Sequence, residues 1–229
     1  MEPDIRGISS MATRQVLAEL VEAFERGSGL RVAMTAVGGV DAARRVQAGE
    51  AFDVVVLASD AIDRLVASGH VVAGSRTDLV RSGVAVAVRA GAPRPDLGSE
   101  AGVKAAVLAA RSVSYSTGPS GVALARLFER WGIAAEVAAR LVTPPPGTPV
   151  GSLVAAGEVE LGFQQLSELI HVEGLDIVGP LPDAIQITTI FSAGVAATCA
   201  RPEAARALID FMNSPDAVAA KRRQGMDAA

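Results

Sequence analysis

In the stretch FDVVVLA, residues 52–58, Val54 to Ala58 form an unbroken apolar run rich in β-branched side chains. A strand of that composition has no polar side to turn to water, so it must be covered on both faces. It runs straight into SDAIDRLVASGHV, whose apolar positions repeat at helical spacing. The same alternation begins earlier. RGIS predicts a short strand, and MATRQVLAELVEAFERGSG predicts a helix with Val16, Leu17, Leu20, Val21 and Phe24 on one face and Gly27 and Gly29 as its stop. RVAMTAV predicts a second strand and GVDAARRVQAGEA a second helix. The first 70 residues therefore read β-α-β-α-β-α, the pattern of a parallel sheet wrapped by helices.

The pattern then changes. SGVAVAVRAG (82–91) predicts a strand, and a helix is expected over about Glu100 to Ala110. SVSYST predicts a strand, and GPSGVALARLFERWGI a helix entered through Gly and Pro. AEVAARLV predicts a helix that ends before TPPPGTP, where Pro144 to Pro146 form a short stiff connector. VGSLVAAGE predicts a helix, VELGFQQ a strand and SELIHVEG a short helix. LDIVGPLP and QITTIFSAGVAAT predict strands, and two C-terminal helices are split by NSPD. This is an α/β chain in two lobes, residues 1–82 with about 194–229 forming the first and 83–193 the second. Sites in parallel α/β sheets lie beyond the carboxyl ends of the strands, so the expected ligand site is a cleft between the lobes.

Composition narrows the function. Of 229 residues, 50% are hydrophobic but only 3% aromatic, and the net charge is −4. Base stacking needs exposed rings, and phosphate backbones need a basic field, so nucleic acid is not an expected partner. The single cysteine, Cys199, lies in the apolar run AGVAATCA and reads as buried and inert. It cannot form an internal disulfide, and neither a metal site nor a cofactor is expected. No apolar run is long enough to insert into a membrane. MEPDIRGISS lacks the apolar core of a secretory signal. The expected location is cytoplasmic as the sequence stands, and periplasmic if a leader has been removed.

Small polar residues recur just after strands and just before helices: Ser9 and Ser10; Gly38 and Gly39; Ala58, Ser59 and Asp60; Ser116, Thr117 and Ser120; Gly151 and Ser152; and Gln164 and Gln165 at the end of ELGF. Such turns expose backbone N–H groups at positive dipole ends, and several of them can bind an oxyanion without formal charge. The same residues are also ordinary helix caps, so either role is open at each turn. Competing chemistry is scarce. TGPSGVA lacks the lysine and spacing of a phosphate-binding loop, and no GxGxxG occurs. His70 and His171 lie far apart near helix ends, where a solvated histidine is the ordinary outcome. Arg44 and Arg45 follow the Gly38-Gly39 turn, and Arg81 lies beside the expected hinge at Ser82; each could meet a carboxylate or be surface charge.

Taken together, SSMATRQVLAELVEAFERGSGLRV, AARRVQAGEAFDVVVLASDAIDRLVASGHV, GPSGVALARLFERWGI, VGSLVAAGEVELGFQQLSEL and ALIDFMNSPDAVAAKRRQGM make the chain resemble the molybdate-binding proteins of ABC importers, which have the type II periplasmic-binding-protein fold. The resemblance implies a two-lobed clamp on a small oxyanion and, for an exported protein, an ABC permease as partner. It places the family's ligand-binding positions on Ser10, Gly39, Ala58 or Ser59, Ser120, near Val150, and Gln165. Gly39 stands where the family has a serine and Gln165 where it has a tyrosine, which favours a di- or tricarboxylate over molybdate. Aconitate isomerase is similar to the same family and shifts a double bond in a tricarboxylate. That resemblance implies a second possibility, an isomerase, with Asp60 and Asp41 as the acids nearest the expected cleft.

Overall fold

The computed structural model describes residues 2–145 and 147–229; Pro146, the last proline of the expected connector, lies outside the described residues. The chain divides into two compact units, Met1–Arg81 with Ile190–Ala229, and Ser82–Thr189.

The first unit opens with β1 (Ile5–Ser10), a 3-10 turn at Met11–Thr13, α1 (Arg14–Ser28), β2 (Val32–Val37), α2 (Gly39–Gln47), β3 (Val54–Ala58) and α3 (Ser59–Ala67). β1 pairs in parallel with β2 on one side and β3 on the other. All five residues of β3 are buried, as its composition requires. Its alternate residues serve opposite faces. Val54 and Val56 join the core beneath α1, while Val55 and Leu57 join the core beneath α2 and α3. Each fully buried valine or leucine contributes roughly 1.5–3 kcal/mol, so this strand stabilises both cores of the unit.

β4 (Thr77–Arg89) starts five residues before the position expected from sequence. Thr77, Asp78 and Arg81 look like loop residues, but they lie on a strand whose Leu79 and Val80 are core. Edge pairing and two buried side chains outweigh local polarity here. β4 carries the chain across the boundary between units.

In the second unit follow α4 (Glu100–Ala109), β5 (Val113–Tyr115), α5 (Pro119–Arg130), α6 (Ala134–Ala138), α7 (Val150–Ala156), β6 (Leu161–Gln165), α8 (Leu166–Leu169) and β7 (Leu175–Pro180). β4 pairs antiparallel with both β6 and β7, and β5 pairs in parallel with β6. One core packs α4, α5 and α6 against the sheet; a second packs α7 and Leu169 against Ala85 and Ala87.

β8 (Thr188–Val195) returns the chain to the first unit, where it pairs antiparallel with β3. α9 (Pro202–Met212) and α10 (Val218–Arg223) close that unit's larger core. The chain ends in β9 (Asp227–Ala228), paired with Val80 and Arg81 of β4. Lys221 is buried and donates to the Leu79 carbonyl at 2.8 Å, which ties α10 to the same strand. Among the described residues no helix is long and apolar enough to cross a membrane.

Candidate functional site

Register brings the turns of the first unit together. Ser10 lies opposite Val37 across β1 and β2, so Gly38 and Gly39 follow beside it. Ser9 lies opposite Val56 across β1 and β3, so Ala58 and Ser59 emerge at the same edge of the sheet. Three strand-to-helix turns thus share the carboxyl edge of one parallel sheet, the usual place for a ligand in such a fold. A Cβ added at Gly39 would meet only the Ser10 Cβ, at 3.8 Å. That contact is ordinary, so the absence of a side chain at Gly39 is not forced by crowding.

At these turns no side chain performs the capping role. Gly38 precedes α2 and Ala58 precedes α3, and neither helix receives a side-chain cap hydrogen bond. The first-turn N–H groups of both helices therefore lack a side-chain acceptor. Ser10 does not cap the 3-10 turn that follows it. Its hydroxyl sits 3.4 Å from that of Thr13, which donates to the Ser10 carbonyl at 3.1 Å. Ser9 is 1% exposed, and its hydroxyl has no hydrogen-bond partner.

The second unit repeats the arrangement with different side chains. Tyr115 lies opposite Phe163 across β5 and β6, so Ser116 emerges beside Gln164. The Ser116 and Ser120 hydroxyls are 3.0 Å apart, and Ser120 is buried. Gly121 makes this possible, because a Cβ there would fall 1.6 Å from the Ser116 carbonyl oxygen. Gly118 precedes α5 with no side-chain cap, and Pro119 occupies the first turn, where its missing N–H is harmless. Thr117 is exposed.

Gln164 is buried. Its carbonyl accepts from the Gly151 N–H at 3.0 Å, and its amide donates to Glu168 at 3.0 Å. The side chain therefore staples the start of α7, and with it Val150, to α8. Gly162 lets α7 approach, since a Cβ there would meet Val154 at 2.5 Å and Val150 at 3.0 Å. Burial pushes the Glu168 carboxyl up to about 7, with the Gln164 hydrogen bond opposing the shift. Sequence reasoning missed Glu168. The available signal was an acid three residues after the end of the strand VELGFQQ, in a helix of only four residues.

Gln165 is 3% exposed. Its amide nitrogen lies 2.9 Å from both the hydroxyl and the carbonyl oxygen of Ser82, and its carbonyl oxygen lies 2.9 Å from the Thr189 hydroxyl. Both amide hydrogens thus have acceptors within the protein.

The remaining candidates stand as follows. Asp41 pairs with Arg44, and Asp60 pairs with Arg64 at 2.8 Å, all with substantially exposed side chains. Arg45 pairs with Glu50 and lies over the Phe52 ring. Arg81 is exposed on β4, opposite Asp227. His70 shares a 2.9 Å hydrogen bond with Ser68, and His171 is exposed. Cys199 is partly buried; burial first, then Asp53, pushes its thiol up to about 11, so it stays protonated. Among the described residues no group of His, Cys, Asp and Glu could hold a metal ion.

This arrangement offers uncharged donors, hydroxyls and backbone N–H groups at the ends of parallel strands, which suits a small anion. Comparison with known proteins agrees with the architecture. The chain is 40% identical to an aconitate isomerase from Pseudomonas sp over 227 residues, covering 96% of this chain and 86% of that protein. Its fold matches the periplasmic molybdate-binding protein of Azotobacter vinelandii with a TM-score of 0.82 at 21% identity, over 97% of this chain and 98% of that one. It matches the sulfate-binding protein SubI from Mycobacterium tuberculosis with a TM-score of 0.78 at 18% identity, over 97% and 85% of the two chains. These likenesses establish a type II periplasmic-binding-protein fold. A family model described as bacterial extracellular solute-binding protein matches residues 5–227, and the chain belongs to that family.

Proposed function

We propose that this protein binds an unsaturated tricarboxylate of the aconitate class, and moves a proton and a double bond within it. The observation that carries this reading is the 40% identity, over nearly the whole chain, to an aconitate isomerase. Such a reaction removes a proton from a carbon activated by the double bond and a carboxylate. Negative charge then spreads onto carboxylate oxygens, and a proton returns at another carbon. The protein must supply donors to those oxygens and a group that holds the proton. The Ser10, Gly38-Gly39 and Ala58-Ser59 turns, with Ser116 and Ser120, supply the donors. Glu168 is the carboxyl whose proton affinity, about 7, suits proton transfer near neutral pH. Asp41 and Asp60 are less suited, because each is held by an arginine of its own helix.

Incubation of the protein with cis-aconitate in deuterated water tests the reading. The expected result is a new isomer carrying deuterium next to the double bond, lost in Glu168→Gln. Isomerisation that survives this substitution keeps the reaction and removes Glu168 from it. Binding of the tricarboxylate with neither isomer nor exchange makes the protein a receptor.

The receptor reading has its own support in the family description, an extracellular solute-binding protein. A receptor that hands its ligand to an ABC permease acts outside the cytoplasm. Molybdate is the weaker ligand in either case. Gly39 carries no hydroxyl, and the amide hydrogens of Gln165 are engaged by Ser82. A thermal-shift screen of cis-aconitate, citrate, molybdate, tungstate and sulfate orders these ligands directly. A ligand at 100 times its dissociation constant adds about 2.7 kcal/mol. A shift with molybdate alone restores the importer role.

A further inference from the structure

Two buried or half-buried glutamines hold the places where the chain enters and leaves the second unit. The unit begins at Ser82 and ends at Thr189. Gln165, at the end of β6, bridges those two residues, donating to the Ser82 hydroxyl and carbonyl and accepting from the Thr189 hydroxyl, each at 2.9 Å. Gln186 works from the other side. Its carbonyl accepts from the N–H of Val84 at 3.1 Å and of Ile187 at 2.8 Å, and its amide donates to the Leu181 carbonyl at 3.3 Å. Gly83 leaves room for this amide, since a Cβ there would lie 3.1 Å from the Gln186 nitrogen. The Val84 N–H also donates to the Ile187 carbonyl at 3.1 Å, so the two side chains reinforce a backbone contact between residues 82–84 and 187–189.

We infer that Gln165 and Gln186 are positioning residues that lock the segments where the chain enters and leaves the second unit into one rigid block. An amide is suited to this, because one planar group donates and accepts at once and carries no charge to be desolvated. The sequence comparison with molybdate-binding proteins puts Gln165 among ligand contacts; the geometry gives it a different task. The inference holds whichever anion the protein binds.

Residue-resolved hydrogen exchange on the free protein tests it, with Gln165→Glu, Gln165→Met and Gln186→Met. Gln165→Glu preserves shape and the acceptor for Thr189 but removes the amide donors to Ser82. Exchange at Val84 and Ile187 should rise about tenfold in each variant, the size expected for losing one buried hydrogen bond. Val86 and Ala87, farther along β4, serve as the internal reference: they should keep the parental rate, and a uniform rise along β4 would mean general destabilisation and overturn the clamp. Unchanged exchange at Val84 and Ile187 also overturns it. A Gln165→Glu protein that exchanges like the parent but binds cis-aconitate or molybdate more weakly would return Gln165 to the ligand.

Discussion

The entrance to α4 and the entrances to α2, α3 and α5 use the same small vocabulary of residues and end differently. Ser99 has extended backbone angles, and its hydroxyl accepts from the Gly102 N–H at 3.1 Å. That helix end is satisfied from within, a contribution of about 1 kcal/mol. At α2, α3 and α5 the capping position is Gly38, Ala58 and Gly118, none of which has a hydroxyl. The nearby hydroxyls of Ser59, Ser116 and Ser120 sit before or after that position. The difference teaches that a serine near a helix start is a cap only when it occupies the turn residue itself. Displaced by one or two positions, it leaves the backbone donors open and adds its own.

The comparison breaks most violently at Gly121. Gly121→Ala drives a methyl group into the Ser116 carbonyl, 1.6 Å from the ideal Cβ, so the first turn of α5 must move. A destabilisation of about 3 kcal/mol is expected from such overpacking, seen as a lower midpoint in chemical denaturation. Binding should fall with it, since Ser116 and Ser120 separate.

Glu168→Gln is expected to act almost as strongly, and with a defined pH signature. The folded protein holds the Glu168 proton up to about pH 7, whereas the unfolded chain releases it near 4.5. Between those values the folded state binds more protons, so raising the pH through this window removes stability. Above about pH 7 the full penalty is present, up to about 3 kcal/mol. Glu168→Gln should therefore be the more stable protein at pH 8, and the two should converge near pH 4.5. Denaturation midpoints that stay parallel across this range would show that the carboxyl titrates normally.

Paired alanine substitutions sharpen the contrast itself. Ser99→Ala should lose about 1 kcal/mol of stability and bind cis-aconitate as before. Ser10→Ala should lose little stability and bind about tenfold more weakly. Calorimetry and thermal denaturation on both variants separate the two roles; the same profile for both would erase the distinction.

The smallest stability change is expected from Gly39→Ser. The position has ordinary van der Waals room beside Ser10, so stability should stay within about 0.5 kcal/mol. The added hydroxyl should narrow the preference for cis-aconitate over molybdate, read as a ratio of dissociation constants.

Much of the first unit is legible in the chain because its signals are local. FDVVVLA is β3 almost residue for residue, and the apolar stripe of Val16, Leu17, Leu20, Val21 and Phe24 is the buried face of α1. The start of β4 is not legible, because Thr77 and Asp78 are made strand by partners far along the chain; the Ser192 hydroxyl donates to Asp78 at 2.6 Å. β9 escapes notice for the same reason, since Asp227 and Ala228 have no strand pattern of their own. In the site, the strand-to-helix turns can be read as positions, but not which of them are capped.

By itself the sequence determines the alternation of strands and helices, the parallel start, and the turns that carry uncharged donors. These depend on periodicity and on residues adjacent in the chain. The tertiary structure decides that Ser10 faces Gly39, that Gln164 holds both Gly151 and Glu168, and that Gln165 joins Ser82 to Thr189. It also decides the proton affinity of Glu168, because desolvation is a property of the space around a carboxyl and no neighbour in sequence reports it.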